Sequence, residues 1–469
     1  MSIKTTLKSI LKKAIKNNNY NIDNHDITIK KDKKTDDYLS DITIIISDVI
    51  KKSPQEIVEN LKNEIKNIFI IENISITDKG FLRLTINKEY LSSNINSIIE
   101  EKDKYGKCNI GNNQKINIEF INDNILNKVT LDDIRKTVYI DNIARLMSAC
   151  GYNVTKEIYL NEIKDVKYDI NIFKDYLDRY RLYFEKYQTQ HLLYNSGIIE
   201  EVLTKIKNTT DCYINEDSLW IKTTNYGMKE DIKLIDKNGE YTEIVPYLSY
   251  LYHLQNQDYN LLINLSIPKL SQYLEYIKII LFIIKKELNL ISINNKGEIN
   301  VLNNNEKIEL IKTINNIDIN NIRFHFSCYN IDINMNFDIN YIKKTNNENP
   351  IYYIEKTYNR ILQILRENKK NIKKVEKYIT LNDELSYTIL EKINTFEDII
   401  IEACNKRKPN LITNYIYELV SLTNKYCESE IINNDDDIYK NERLNLLLAI
   451  RIVLNNSLNL IGIIPKEEM

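Results

Sequence analysis

Apolar positions recur at helical spacing from the start of the chain. Ile3, Leu7, Ile10, Leu11 and Ala14 predict an amphipathic helix whose outer face is rich in lysine, a pattern that fits a solvated surface. Ser53-Pro54-Gln55-Glu56 reads as a second helix start. The serine can cap, proline suits the first helical position, and the glutamate is expected to close a capping box. Ile57, Leu61 and Ile65 then give the buried stripe. After a strand near 74–77 and the turn Asp78-Lys79-Gly80, alternation over 81–86 places Leu82, Leu84 and Ile86 on one face. Phe81, Arg83 and Thr85 fall on the other face. An exposed aromatic beside an arginine suits stacking on an unpaired base. The same pattern also fits a phenylalanine covered by a neighbouring helix.

The stretch 116–161 carries the strongest pattern. Asn117 to Ile121 alternates as a buried strand, 122–129 reads as a loop, and Thr130 opens a helix that runs to Cys150. Tyr139, Ile143, Leu146, Met147 and Cys150 share one helical face, Gly151 stops the helix, and Val154 to Leu160 resumes a strand. This is a βαβ unit, and a helix N-terminus just after a strand is where such folds bind phosphate. A further strand is expected over 260–265. Beyond 349 the periodicity is helical throughout: Ile412, Tyr415, Ile416, Leu419, Thr423 and Tyr426 mark one helix, and Leu446, Ile450, Val453, Leu454, Ser457 and Leu458 mark the next. Gly462 and Pro465 end the last, and Asn433 to Asp437 is an acidic loop insertion.

Composition adds boundaries. A chain of 469 residues holds two or three domains, and 64 basic against 66 acidic residues give no global basic field. Six scattered cysteines without a Cys-x-x-Cys pair read as reduced thiols, with no metal site. The longest strongly apolar run, Ile279 to Ile284, is far short of the ~20 residues of a spanning helix. The N-terminus has no signal-peptide core, so a cytoplasmic protein is expected, with no membrane and no DNA partner.

Residues 119–161, from Glu119-Phe120 to Leu160-Asn161, resemble the active-site segment of arginyl-tRNA synthetases. Asn124, Arg135, Asp141, Ala144, Arg145, Gly151, Tyr152, Tyr159 and Asn161 fall on family residues without a gap. Phe184 to Lys207, Ser218-Leu219-Trp220 and Asn238-Gly239-Glu240-Tyr241-Thr242 continue the likeness, as does Asn347-Glu348-Asn349-Pro350-Ile351-Tyr352-Tyr353, leading into Tyr358 and Arg360. The resemblance implies a multidomain α/β fold. An N-terminal α+β tRNA-elbow domain would cover 1–116, a Rossmann-like class I synthetase domain 117–348, and an all-α anticodon-binding domain of the DALR type 349–469.

The chemistry departs from the family. The His-x-Gly-His positions of the class I signature read Thr130, Leu131, Asp132 and Asp133. A pocket aspartate is Tyr247, its histidine neighbour is Leu251, and Tyr250 is kept. The adenosine-packing run reads Ile267-Pro268-Lys269-Leu270-Ser271-Gln272, and Asn300 to Asn305 stands where Lys-Met-Ser-Lys belongs. Asn320-Asn321-Ile322-Arg323 occupies the Asp-Ala-Leu-Arg position and keeps its arginine. Thr130 with Asp133 is expected to cap the helix internally, and the two aspartates put negative charge where a triphosphate would sit.

No catalytic residue is therefore expected, and no cofactor. ATP and Mg²⁺ enter only if the protein is a divergent but working arginine–tRNA ligase. The first expectation is a catalytically inactive relative that retains tRNA as its partner; a scaffold that binds a protein partner is a third reading. Asn122, Asn124, Arg135 and Tyr250 would line a residual arginine/ATP pocket, and Phe81, Arg83, Tyr358 and Arg360 would meet tRNA.

Overall fold

Ser2 begins the first helix, α1 (Ile3–Asn17), by accepting the Thr5 amide, and the helix buries Ile3, Leu7, Leu11 and Ala14 along one stripe. The computed structural model describes the whole chain except residues 1, 23–24, 33–34, 36, 123–129, 161–169, 266–267, 294, 303–316, 430–436 and 468–469. Next come β1 (Lys30–Lys31), β2 (Tyr38–Ser40), α2 (Ile42–Ile50), α3 (Pro54–Ile65), β3 (Ile71–Ile76), β4 (Leu82–Ile86) and α4 (Lys88–Glu101). Their four strands form an antiparallel sheet in the order β1-β2-β4-β3. Ser53 caps α3 by accepting the Glu56 amide at 3.3 Å. The second half of the expected capping box does not form, because the Glu56 carboxylate takes the Lys52 ammonium at 2.6 Å instead.

The central layer opens with β5 (Lys115–Asn122), α5 (Leu131–Ala149), β6 (Asn153–Leu160), α6 (Ile170–Arg179) and β7 (Lys186–Thr189). Helices α7 (Gln190–Asn195) and α8 (Ile198–Lys207) lead to a small antiparallel sheet of β8 (Cys212–Asn215), β9 (Ser218–Ile221) and β10 (Ile232–Ile235). Helix α9 (Ile244–Gln255), β11 (Leu261–Leu265), α10 (Pro268–Ser271), α11 (Leu274–Ile283) and β12 (Leu290–Ile293) complete the main sheet. It is parallel, in the order β12-β11-β5-β6-β7. The chain leaves β5 towards β6 and later returns on its other side as β11, so strand order reverses between β5 and β11. Ligands of open α/β sheets bind at such a reversal, beyond the carboxyl ends of the strands.

Strand β13 (Ile299–Leu302), helix α12 (Ile319–Ser327) and strand β14 (Met335–Asp338) lead into the helical part, with β13 and β14 paired in parallel. That part comprises α13 (Ile339–Ile342), α14 (Pro350–Glu367), α15 (Glu384–Asn394), α16 (Phe396–Lys406), α17 (Asn410–Glu428) and α18 (Asp437–Leu460). The acidic insertion at 433–437 lies almost wholly outside the described residues. The N-terminal layer reaches the helical one directly: Asn94 donates to the Asn394 amide oxygen at 2.8 Å, and Tyr105 to the Ile393 carbonyl at 3.1 Å.

The central and helical layers meet at a buried ionic cluster. Asp141 on α5 accepts Arg323 of α12 at 2.5 Å, Arg145 at 2.7 Å and Lys156 of β6 at 2.8 Å. Burial alone would push the Asp141 carboxyl up, but the three cations hold it well below the usual carboxylate range. Arg323, itself fully buried, also donates to the carbonyls of Ile461, Tyr180 and Arg181. Gly462, at φ +68°, leaves room for it: a Cβ there would stand 2.0 Å from the guanidinium. Arg323→Met leaves Asp141 buried without its main partner, and urea denaturation is expected to show a loss of about 3–5 kcal/mol.

Candidate functional site

The side chains at the strand reversal come from three parallel strands in register. Asn264 on β11 stands opposite Glu119 on β5, which stands opposite Glu157 on β6. All three are buried, as is Asn117 two residues earlier on the same face. Helix α9 covers this row with Tyr247 and Tyr250. The Tyr247 hydroxyl donates to Glu119 at 3.3 Å and accepts the Asn264 amide at 2.7 Å. Asn117 donates to Glu157 at 2.8 Å. Tyr250 stacks on Tyr159 of β6 with centroids 4.5 Å apart, and its hydroxyl faces the Glu119 carboxyl without the alignment of a hydrogen bond.

The row is rich in acceptors. Glu119 Oε2, Asn117 Oδ1 and Asn264 Oδ1 have no aligned donor among the described residues. Burial, reinforced by the neighbouring Glu157, pushes the Glu119 carboxyl up to about 8, against partial relief from the hydroxyls and the amide around it. Burial also pushes Glu157 up. Near neutral pH Glu119 is therefore mostly a neutral acid, a donor as well as an acceptor.

Beyond the same strand ends stands the start of α5. Thr130 Oγ1 accepts the Asp133 amide at 3.2 Å, while the Asp133 carboxylate accepts the Thr130 amide at 2.8 Å and its hydroxyl at 2.6 Å. This is the reciprocal cap expected from the sequence. Asp132 is occupied by Lys136 at 2.6 Å. The helix end carries two carboxylates in its first turn and spends cap donors on its own side chains, which opposes the approach of an anion.

The structure separates the other expected site residues. Asn124 lies outside the described residues, as does the side chain of Asn122, whose backbone ends β5. Arg135 corrects the reading: its buried guanidinium donates to the carbonyls of Gly297 at 3.1 Å, Asn330 at 2.9 Å and Ile333 at 2.6 Å. It fastens α5 to the β13–β14 region. Tyr250 does lie at the strand reversal. Tyr358 is a second correction, since it is 2% exposed in the helical core and offers nothing to a surface partner. Phe81 is half-buried. Arg83 and Thr85 both turn to Asp37, at 3.7 and 2.8 Å. Arg360 remains at the surface, donating to the Cys427 carbonyl at 2.7 Å. Sequence reasoning passed over Glu119 and Glu157. Their signal was a carboxylate flanked by apolar residues in the buried part of each strand, Glu119 between Ile118 and Phe120 and Glu157 before Ile158-Tyr159-Leu160.

Two parts of the chain match known families. Residues 1–86 match the arginyl tRNA synthetase N terminal domain, and residues 354–469 the DALR anticodon binding domain. The arginine–tRNA ligase of Bacillus subtilis is 24% identical over 556 aligned positions, covering 100% of both chains. Among solved structures, Thermus thermophilus arginyl-tRNA synthetase superposes with a TM-score of 0.76 at 12% identity, covering 100% of each chain. Arginyl-tRNA synthetase from Plasmodium falciparum gives a TM-score of 0.74 at 16% identity, covering 100% of this chain and 99% of that one.

Titration of the buried acid is measurable. Between the ordinary glutamate value of 4.5 and about 8, the folded state holds a proton on Glu119 that the unfolded chain has released. Stability contributed at this site therefore falls as the pH rises through that window. Glu119→Gln is expected to match the parent chain near pH 5. At pH 8 it is expected to exceed it by more than about 1.4 kcal/mol, the equivalent of one pKa unit. Thermal denaturation at the two pH values measures the difference, and identical pH profiles would contradict the assignment.

Proposed function

Because the chain belongs to the arginyl-tRNA synthetase family, we propose that it is a tRNA-binding member of that family in which amino-acid activation has been lost. The single observation that carries this reading is the closed cap at Thr130 and Asp133. Amino-acid activation makes phosphate oxygens more negative in the transition state and needs fixed positive partners there. At the strand reversal this chain offers an acid-capped helix end instead. Tyr247 adds to the reading, because a phenol that donates to Glu119 brings no charge for a guanidinium, and Glu119 itself is largely neutral.

RNA retention rests on the outer layers. A groove of about 1280 Å³ runs between α1 and β1 on one side and α15, α16 and α17 on the other. Lys4, Lys8, Lys30, Lys31, Lys392 and Lys406 line it, with four acidic side chains among them. The expected partner is a folded RNA gripped at elbow and anticodon stem, in the cytoplasm. A working arginine–tRNA ligase remains the second reading, favoured by the unmatched acceptors beside Glu119, which a bound cation would satisfy.

Incubation with total tRNA, labelled arginine and ATP at high protein concentration is expected to give no charged tRNA; charging would establish the ligase reading. The same preparation is expected to retain tRNA with an affinity that falls steeply with salt. Arg83→Ala and Arg360→Ala should each weaken retention and reduce the salt slope by about 1. Absent or salt-independent retention would refute RNA binding.

A further inference from the structure

Three of the six cysteines, far apart in sequence, meet where all three layers join. Cys108 lies on the segment that joins the N-terminal layer to β5. Cys150 is the residue that ends α5, and Cys404 lies on α16. The Cys150 thiol lies within hydrogen-bonding reach of both others. The backbone holds the first pair together: the Cys108 amide donates to the Ala149 carbonyl at 2.9 Å, and the Gly111 amide to the Cys150 carbonyl at 2.9 Å. These two bonds fix the segment that carries Cys108 alongside the residue that ends α5. On the other side, Tyr139 of α5 donates to the Arg407 carbonyl, just past α16, at 2.6 Å.

A cavity lies beside this junction, and of the three thiols only Cys108 is partly exposed. A cavity of about 480 Å³ is lined by Lys107, Ala149 and Ile400, each beside or one helical turn from a cysteine, together with Arg145 and Lys156. Cys108 is half-buried, whereas Cys150 and Cys404 are buried.

We propose that Cys108 and Cys150 form a peroxide-reactive thiol pair, with Cys404 as the third member of the row. The Cys108 thiolate attacks one peroxide oxygen, the O–O bond breaks and hydroxide leaves, so Cys108 becomes a sulfenic acid by a two-electron oxidation. The Cys150 sulfur then attacks the Cys108 sulfur, loses its proton and displaces the sulfenic oxygen as water. Overall, two thiols and one hydrogen peroxide give a disulfide and two waters. Cys108 has the character of the attacking group, since it is the only one of the three that is not buried, and the hydrogen bond from Cys150 draws its thiol downward. Cys150, pushed upward between its two neighbours, stays protonated until it attacks. The product would staple the segment 107–114 to the end of α5, beside the Asp141 cluster that joins the layers.

Treating the reduced full-length chain with a few equivalents of hydrogen peroxide, followed by alkylation and peptide mass mapping, tests this directly. Cys108 is expected to oxidise about tenfold faster than Cys212, a half-buried thiol on β8 whose pKa is raised by burial. The product is expected to be a Cys108–Cys150 disulfide, reversible by dithiothreitol. Cys150→Ser is expected to leave Cys108 as a sulfenic acid that dimedone traps. The rate ratio is read on the unaltered chain, so it stands even where Cys150→Ser weakens the fold. Equal rates at Cys108 and Cys212, or oxidation of Cys108 without a disulfide to Cys150, would overturn the proposal.

Discussion

The buried pairing of Asp141 with Arg323 sets the arrangement of everything else. An ion pair inside a protein gains little unless its remaining valences are filled, because desolvation costs about as much as the attraction returns. Here they are filled: Asp141 meets two further cations, and Arg323 meets three carbonyls from two other parts of the chain. Each of those contacts fixes a distance between layers. The central helix α5, strand β6, the end of α6 and the turn after α18 are thereby held to one point. Gly462 stands at that point because a side chain there would displace the guanidinium.

Arg135 repeats the device six residues before Asp141 on α5. Its guanidinium satisfies three carbonyls of the β13–β14 region, again joining segments distant in sequence. Two arginines that match family positions thus act through architecture. None of these bonds runs through the Thr130 cap or the row around Glu119, so the frame is held independently of both.

Much of this was legible in the sequence. The cap at Thr130 and Asp133, the stripe of α1, the alternation of β4 and the helical last third follow from local spacing, and local spacing is what short-range hydrogen bonds and one-sided burial obey. The errors have a common cause. Arg135 and Tyr358 were read as surface or pocket groups because a matched position gives identity and not direction. Glu56 chose Lys52 over the amide of its own cap because a nearby ammonium competes for a carboxylate. Glu119 and the meeting of Cys108, Cys150 and Cys404 depend on strand register and domain packing, which no local pattern encodes.

Whether the helix end beyond β5 accepts a triphosphate is measured, without relying on turnover, by equilibrium dialysis against labelled ATP with Mg²⁺, with and without arginine and tRNA. No nucleotide retained above the free concentration is the result this account predicts. Stoichiometric retention, displaced by unlabelled ATP, would contradict it and would place a working nucleotide site beside the acid-capped helix.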